Sequence, residues 1–411
     1  MKNRNLLIYI FISVLALTSC GEDRTNEYLE QTKENQWIYT TMQEVYLWKE
    51  DIKDPEYSQF FTPNSKFFST LLNKNDKASF FTDINPTYDY GMSFVLMRDP
   101  IAEKPSRVYA LVLSVEHGSP AEKAGITRGK WISAINKKQL STSSEKTLKQ
   151  GDEAKLATAY IEFDNEAGNY FWVESDTIEI SPSAPYDACG ICIDSIYAIR
   201  DNNVGYFLCN SFDGEDFIDK TNAVIEKFIA QKVTNVIIDL RYNGGGNIDN
   251  AAAFASMLVP AELAGTPFCT LKDNNGNTEN AYNYKEQQYS IGDKKIYFII
   301  GEKTKGTAEL VVSSVNASRD MYDTYTIGAT TAGVNIMTEE FKSPYGFAIN
   351  PATSMAYSSN GEILPAEGIK PDYMFDELEQ KKNGIYLLGD KQEFLLYNTF
   401  YIIEYGTPAT Y

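Results

Sequence analysis

The stretch Asn235-Val236-Ile237-Ile238-Asp239-Leu240-Arg241-Tyr242-Asn243-Gly244-Gly245-Gly246 passes from a largely apolar run to three consecutive glycines. A continuous apolar run is typical of a parallel strand that is buried on both faces. The glycines predict a tight turn after this strand, and a helix to about Leu258 follows. Such a turn presents backbone amides at a helix N-terminus, where they favour an anion or an oxyanion.

The same turn lacks the features of two nucleotide sites. Three adjacent glycines do not have the GxGxxG spacing of a dinucleotide site, and no Gly-Lys-Ser/Thr follows them as a P-loop requires.

Strands and helices alternate on both sides of this turn. The predicted strands are Val204–Cys209 and Ile296–Ile300, and the predicted helices run from Asp213 to Ala230 and from Thr307 to about Ser318. Such alternation indicates an α/β fold with a parallel sheet. We therefore assign residues 183–411 to an α/β core with a C-terminal extension.

Two further domains are predicted before the core. Residues 27–84 have apolar side chains at three- and four-residue steps, which predicts a helical cap with a second helix over Ser65–Leu72. These side chains are Trp37, Ile38, Met42, Tyr46 and Leu47. Residues 85–182 change to short strands with turns, among them Gly91–Leu96 and Tyr109–Val115.

The N-terminus has the pattern of an export signal. Lys2 and Arg4 precede an apolar run that is too short for an ordinary transmembrane helix. Leu-Thr-Ser-Cys20 resembles a bacterial lipobox, so we expect a signal peptide at residues 1–19, lipidation of Cys20 and a tether at residues 20–26. A plain secretory signal is the alternative. The expected location is the bacterial cell envelope, with a lipid anchor on a periplasmic or surface-exposed face of the outer membrane.

The formal net charge of −19 limits the partners. Such a surface repels phosphate backbones and anionic lipid headgroups. We therefore expect no nucleic-acid partner, and membrane contact through the lipid anchor only.

Cys189 and Cys192 form a CxxC motif, which elsewhere marks a redox pair or half of a zinc site. His117 is the only histidine in the sequence, and the motif lacks the strand-then-helix setting of a thioredoxin. We therefore expect no metal site and no cofactor, and a structural role for the motif. A disulfide in an exported protein remains open.

The β-rich segment resembles a PDZ domain. The resemblance rests on Ser119-Pro-Ala-Glu-Lys-Ala-Gly-Ile126, followed by Gly129 and the strand Ile132–Asn136. It implies that Gly91, Met92, Ser93 and Phe94 form a loop that receives a peptide carboxylate, beside a strand edge that accepts the peptide. A PDZ-shaped spacer that binds nothing is the alternative.

The whole mature chain resembles the C-terminal processing peptidases, or tail-specific proteases. Three motifs carry the resemblance: Asp239–Gly246, Glu367-Gly-Ile-Lys-Pro-Asp372, and Trp37–Trp48, which is similar to the helical cap of secreted Bacteroides-type members. The resemblance implies a crotonase/Clp-protease-like α/β peptidase core. It also implies a serine nucleophile three residues before a glutamate, and a lysine base after a Gly-x-Thr-Thr-x-Gly pattern.

This sequence departs from the family at both catalytic positions. Glu309 places Gly306 at the nucleophile, and Gly328-Ala-Thr-Thr-Ala-Gly333 places Val334 at the base. Glycine has no nucleophile and valine accepts no proton, whereas a serine needs a base to activate it. Both positions are therefore interpreted as degenerate.

Several nearby side chains are considered as replacements for the missing serine nucleophile or lysine base. Thr307 is one residue beyond the nucleophile position, and on a helix this shift turns the side chain by about 100°, away from the backbone amides. Ser313 and Ser314 lie inside the predicted helix, and Lys303 and Lys305 are expected to be solvated and protonated. His117 has no partner serine.

The resulting prediction is a non-catalytic binder of peptides or protein C-termini. The backbone amides of Gly244, Gly245 and Thr307 would still receive a carbonyl or carboxylate, since they do not depend on the missing side chains. An active serine-type endopeptidase with displaced residues is one alternative. A structural role beside an envelope protein partner is the other.

Overall fold

The computed structural model describes residues 25–83, 89–103, 106–149, 151–183, 186, 191–320 and 323–409. Cys20 and Cys189 lie outside these ranges. The helices are α1 (Thr25–Val45), α2 (Asn64–Thr70), α3 (Pro120–Lys123), α4 (Glu145–Leu148), α5 (Phe217–Ala230), α6 (Ile248–Leu258), α7 (Thr307–Ala317) and α8 (Phe394–Tyr405). Short 3-10 helices lie at Lys49–Asp51, Tyr57–Phe61, Ala261–Leu263 and Lys381–Asn383.

The strands are β1 (Phe80–Thr82), β2 (Met92–Arg98), β3 (Val108–Val115), β4 (Trp131–Ile135), β5 (Lys138–Gln139), β6 (Ala154–Asp164), β7 (Asn169–Ile180), β8 (Ile191–Ile199), β9 (Asn202–Cys209), β10 (Asn235–Asp239), β11 (Pro267–Lys272), β12 (Thr278–Asn283), β13 (Lys295–Ile300), β14 (Thr324–Gly328), β15 (Ile336–Thr338), β16 (Phe341–Lys342), β17 (Ala348–Asn350), β18 (Ala352–Tyr357) and β19 (Tyr373–Met374). The α/β class expected from the sequence is confirmed. No helix within the described ranges is both long and apolar enough to cross a bilayer.

The N-terminal helices form one compact unit together with residues 340–351. The predicted apolar face of α1 is buried, with Ile38 and Met42 fully inaccessible to solvent. The hydroxyl of Tyr46 donates to Asp76 Oδ2 at 2.8 Å. Residues 340–351 join this unit because β1, β17 and β16 form an antiparallel sheet.

The second unit contains residues 85–339 and 352–411, and three sheets build it. The first sheet has the order β2-β3-β4-β6-β7 and is called the five-stranded sheet after these strands; the short β5 also pairs with β4, and all pairings are antiparallel. Ser119 caps α3 by accepting a hydrogen bond from the amide of Glu122 at 3.2 Å, as the Ser-Pro-Ala-Glu sequence predicts. Within the described ranges β2 pairs with β3 alone, so its other edge is open.

The second sheet is the centre of this unit and has the order β19-β14-β13-β10-β9-β8. Its strands are parallel except β8, which pairs antiparallel with β9. The carboxyl ends of β10, β13 and β14 therefore meet at one edge, as parallel strands require. A third, antiparallel sheet has the order β12-β11-β18-β15.

Both faces of the central sheet are covered, which explains the continuous apolar run in β10. Val236 and Ile238 pack with side chains of α5 and α6, including Phe228 and Phe254. Ile237 points to the opposite face and packs in a cluster with Leu396 of α8. A strand that is buried on both faces needs apolar residues at successive positions.

The start of α5 differs from the prediction, because the helix begins at Phe217 and not at Asp213. Asp213 instead lies in the loop between β9 and α5 and contacts the glycine turn, where its Oδ1 accepts a hydrogen bond from the amide of Asn247 at 3.0 Å. A Cβ atom on Gly246 would lie 2.9 Å from the backbone nitrogen of Asp213, so only glycine fits there.

A buried ion cluster fixes the loop after β10; it comprises Arg128, Asp239, Arg241, Glu377 and Glu393. Arg241 is 2% exposed, and its guanidinium bonds the Asp239 carboxylate at 2.8 and 3.0 Å and the Glu393 carboxylate at 2.7 and 3.0 Å. Burial opposes the ionisation of Glu393, but Arg241 and Arg128 hold its pKa below the usual range of a glutamate.

Arg128 connects the five-stranded sheet to this cluster. Its guanidinium lies 2.7 Å from the Glu377 carboxylate and 3.2 Å from that of Glu393, and it donates to the Tyr242 hydroxyl at 2.8 Å. Glu393 also caps α8 by accepting a hydrogen bond from the amide of Leu396 at 3.0 Å. The cluster therefore joins three parts of the unit: the first sheet, the β10 loop and α8.

We expect Arg241→Ala to lower the free energy of unfolding by about 3–5 kcal/mol, because it leaves Asp239 and Glu393 buried without their main cation. The measurement is chemical denaturation at neutral pH. Lys155→Ala is the control: Lys155 pairs with Glu179 on the surface, where solvent screening leaves an ion pair little influence on stability. Equal losses in the two variants would contradict a stabilising role for the buried cluster.

Candidate functional site

The first of three loops at the carboxyl edge of the central sheet is the glycine turn after β10. Asn243 is fully buried, and its Nδ2 donates to the carbonyl of Cys209 at 3.1 Å while its Oδ1 accepts from the amide of Gly245 at 2.8 Å. Gly245 has φ = +100°, and a Cβ atom there would lie 3.1 Å from Thr307 Oγ1. The glycine turn thus packs directly against the start of α7.

The second loop follows β13 and is fixed to the first by hydrogen bonds. Thr304 Oγ1 donates to the carbonyl of Leu240 at 2.7 Å and accepts from the amide of Gly301 at 3.0 Å. The amide of Lys305 donates to the carbonyl of Asn243 at 3.1 Å. The loop ends at Gly306, immediately before α7.

Gly306 has φ = +60° and ψ = −121°, in a region that favours glycine. An added Cβ atom would meet nothing within 4 Å. The position is therefore strained for a side chain but spatially open.

The third loop follows β14 and is tied to Gly306 by the carboxylate of Glu309. Glu309 is 1% exposed; its Oε2 accepts from the amides of Gly306 at 3.0 Å and Val334 at 2.8 Å. Its Oε1 accepts from the amide of Gly333 at 2.8 Å and from the hydroxyl of Thr331. Burial raises the pKa of Glu309, and these four donors oppose the rise. One carboxylate thus brings the two predicted catalytic positions, Gly306 and Val334, into one site.

Two of the predicted anion-binding amides are engaged within the protein. The Gly245 amide donates to Asn243, and the Gly244 amide donates to the carbonyl of Asn210 at 3.3 Å. Thr307 adjoins them, with its hydroxyl donating to the carbonyl of Gly246 at 3.2 Å. The three residues are brought together, and anion binding by their amides stays a prediction.

The side chains weighed as replacement nucleophiles or bases are scattered. Ser314 is fully buried in α7, with its Oγ 3.3 Å from the Ser359 amide. His117 is exposed in the loop between β3 and α3, with Nδ1 3.1 Å from Glu122 Oε1. Lys305 is exposed.

Lys303 differs from the expectation of a fully solvated lysine. The residue is exposed as a whole, but its ammonium group donates to Ser93 Oγ of β2 and lies 5.6 Å from the centroid of the Tyr242 ring. Desolvation lowers the pKa of this amine.

The segment predicted to be a carboxylate-binding loop is largely strand: Gly91 precedes β2, and Met92, Ser93 and Phe94 are its first three residues. Gly91 has φ = +71°, and a Cβ atom there would lie 2.2 Å from Ser119 Cβ, so glycine is required. Its amide donates to Asp89 Oδ1 at 2.8 Å. Met92 is buried, whereas Phe94 lines a cavity with Lys303.

This cavity has a volume of ≈ 300 Å³ and lies along β2 beside the loop after β13. Phe94, Val95 and Leu113 of the five-stranded sheet form one wall of the cavity. The opposite wall belongs to the α/β core and includes Tyr242 and Lys303.

Arg128 and the cavity were not predicted from the sequence, and Glu309 served there only to align the family motif. The signal for Glu309 was present, since a glutamate at the third position of a helix commonly reaches back to the first free amides. No local pattern marks Arg128, which meets its partners only through the tertiary fold.

Known proteins resemble this chain over most of its length. The carboxy-terminal processing protease CtpA of Bacillus subtilis is 24% identical over 331 residues, covering 79% of this chain and 64% of that protein. A CtpA-like serine protease of Staphylococcus haemolyticus is 21% identical over 365 residues, covering 85% of this chain and 65% of that protein. The chain thus spans slightly less than two thirds of the length of these relatives.

Solved structures show the same fold. A crystal structure assigned to an S41 protease of Bacteroides fragilis has a TM-score of 0.75 at 24% identity, covering 90% of this chain and 97% of that one. The photosystem II D1 C-terminal processing protease has a TM-score of 0.52 at 14% identity, covering 84% and 93%. At these identities the likeness concerns the fold alone.

We expect Glu309→Gln to lower the free energy of unfolding by about 2–4 kcal/mol. Each carboxylate oxygen accepts hydrogen bonds from two buried donors. In the amide of glutamine an NH₂ group replaces one of these oxygens, so two donors lose their acceptor, and each unsatisfied donor costs about 1–3 kcal/mol of stability. Denaturant titration measures the loss. Glu302→Gln, at an exposed position in the loop before α7, is the matched control and should change stability by about 0.5 kcal/mol or less. A similar effect of both variants would refute the role of Glu309.

Sequence models of one family match two parts of the chain. A model described as peptidase family S41 matches residues 203–375, which include the central sheet from β9 to β19 and all three loops. A model described as the peptidase S41 N-terminal domain matches residues 33–83 in the helical unit. With the resemblance to the CtpA proteases and the shared fold, these matches establish that the chain belongs to peptidase family S41, the C-terminal processing proteases.

Proposed function

We propose that this protein is a non-catalytic member of its family that binds the free C-termini of peptides or proteins, exported and anchored to the cell envelope through Cys20. The observation that carries the proposal is the site around Glu309. Its carboxylate holds Gly306 and Val334 together, and neither residue has a side chain that can attack a carbonyl or accept a proton.

Serine-type peptide hydrolysis needs a nucleophile that a neighbouring base activates. The hydroxyl of Thr307 is already bonded to the carbonyl of Gly246, and Ser314 is enclosed in α7. Lys303 directs its ammonium group to Ser93 of the five-stranded sheet. These contacts favour loss of the hydrolytic step over its transfer to displaced residues.

The binding half of the proposal rests on the open edge of β2. An exposed strand edge presents unpaired amides and carbonyls, to which an extended peptide can add as a further strand. By its resemblance to a PDZ domain, the loop Gly91–Phe94 would receive the terminal carboxylate. The cavity beside β2 offers space for side chains of such a peptide.

An active serine-type endopeptidase is the second candidate, favoured by the names of the relatives, which are proteases. The two functions differ in a direct assay. An active enzyme cleaves an unfolded protein and reacts with a fluorophosphonate probe, whereas a non-catalytic binder does neither.

We expect the purified protein to bind peptides with a free carboxyl terminus at least tenfold more tightly than the same peptides with a C-terminal amide. The reason is that the Lys303 ammonium group, which donates to Ser93 at the start of β2, would favour a negative charge there. Fluorescence anisotropy with labelled peptide pairs measures both affinities. Absence of binding, or equal binding of both forms across a peptide library, would overturn the binding function.

We expect the natural protein to have no hydrolytic activity and the double variant Gly306→Ser with Val334→Lys to gain it. The open space at Gly306 accepts a side chain, although φ = +60° makes serine there cost about 1–3 kcal/mol of stability. Cleavage of an unfolded protein and fluorophosphonate labelling are the measurements. The two single variants are the controls, since each lacks one partner; cleavage by the natural protein would refute the non-catalytic proposal.

A further inference from the structure

Three aromatic rings form an exposed patch on the N-terminal helical unit. The aromatic patch consists of Tyr28, in the first turn of α1, and of Tyr57 and Phe61, at the two ends of a short 3-10 helix. The rings of Tyr28 and Tyr57 stack with 4.3 Å between their centroids, and the Phe61 ring lies 5.7 and 5.6 Å from them. Tyr57 is 64% exposed and Phe61 is 48% exposed. The rings thus hold one another as a group at the surface.

Other side chains form the core of this unit. Ile38, Met42, Phe67 and Phe68 are each at most 2% exposed. The patch therefore keeps ring surface in water that burial against a partner would remove. Adjoining exposed rings of this kind mark a contact surface, whereas single exposed apolar residues do not.

The position of the patch along the chain favours a membrane as the partner. Cys20, the expected lipidation site, precedes Thr25 at the start of α1 by five positions. An extended chain spans at most about 3.6 Å per residue, so the anchor point lies no further than about 18 Å from Thr25. Tyr28 lies at this end of α1, whereas the other end of the helix is about 30 Å away. A lipid on Cys20 would therefore hold the patch near the bilayer surface.

The chemistry of the rings suits the membrane–water interface. A tyrosine has an apolar ring and a polar hydroxyl, and such side chains are enriched at the level of the lipid headgroups. Phe61 adds a wholly apolar ring. Leu29, the next residue of α1 after Tyr28, is 45% exposed and adds apolar surface at the same end of the helix.

The charges beside the rings favour one type of lipid. Glu27 and Glu56 directly precede Tyr28 and Tyr57 in the sequence and are exposed. Like charges repel, so these carboxylates disfavour anionic headgroups, as does the formal net charge of −19. Zwitterionic headgroups have no net charge, and their ammonium groups can pair with the carboxylates.

We propose that the aromatic patch inserts into the headgroup layer of the membrane that carries the Cys20 anchor, and that this layer is zwitterionic. The inference rests on the anchoring part of the proposed function and deepens it. The anchor limits the distance from the bilayer, and the rings determine which side of the helical unit faces the lipid. Contact through the anchor alone was expected from net charge, which does not account for insertion of rings.

The test is hydroxyl-radical footprinting of the lipidated protein in vesicles of phosphatidylethanolamine and phosphatidylcholine. The reference is the Cys20→Ser protein in buffer, which cannot be lipidated. Mass spectrometry measures the oxidation rates of Tyr57 and Phe61. The internal controls are Tyr160 and Phe171, which are 44% and 41% exposed on the five-stranded sheet. A further sample has half of the lipid replaced by phosphatidylglycerol, which is anionic.

We expect the zwitterionic vesicles to slow oxidation of Tyr57 and Phe61 at least threefold and to leave the two controls within about 1.5-fold of the reference. Protection should be weaker on the anionic vesicles, because the carboxylates beside the rings are repelled there. Equal protection on both kinds of vesicle would contradict the zwitterionic assignment.

The remaining outcomes separate the inference from the anchoring proposal. If the protein is bound to the vesicles but Tyr57 and Phe61 react as fast as in the reference, the inference is wrong while anchoring stands. If the two rings of the Cys20→Ser protein become protected in buffer as its concentration rises, a second copy covers the patch and the inference is also wrong. If the natural protein carries no lipid and stays off the vesicles, anchoring through Cys20 fails together with the inference.

Discussion

The carboxylate of Glu309 is the interaction on which the geometry of the site depends. A buried carboxylate is unfavourable unless donors surround it, and here the amides of three residues and one hydroxyl do so. These donors come from the loop after β13 and the loop after β14. The parallel sheet places these two loops at the same edge, and the hydrogen bonds to Glu309 then determine the distance between them. Because the donors are mainly backbone amides, the arrangement does not require catalytic side chains at Gly306 or Val334.

A second constraint operates between the five-stranded sheet and the core. Arg128 lies on the sheet side and shares Glu377 and Glu393 with the β10 loop, so the sheet is bound through charged groups that are out of solvent. Such interactions need good geometry, since the desolvation of each charge is costly. This attachment places Ser93 within reach of Lys303. The contact between Lys303 and Ser93 is therefore a consequence of how the two parts are joined.

Sequence patterns predicted the elements that have strong local signals. The apolar periodicity of α1, the run of β10 and the capped turn at Ser119 all occur where expected, because each pattern reflects burial or capping within a few residues. The predicted start of α5 at Asp213 was wrong. Polarity and helix propensity do not reveal that this aspartate bonds the amide of Asn247, a residue 34 positions further along the chain.

Some residues of the candidate site were predicted from the sequence, and others were recognised only in the structure. The family motifs identified Gly306, Val334 and the glycine turn, since a turn with positive φ and close packing restricts the residue type locally. The exposure and partners of Lys303 could not be predicted, because they depend on β2, more than 200 residues earlier in the chain. Local sequence patterns were sufficient to identify the family, the α/β core and the missing nucleophile at Gly306. The role of Glu309 in joining the two loops and the contact of Lys303 with β2 became visible in the folded structure, because both depend on contacts between distant segments.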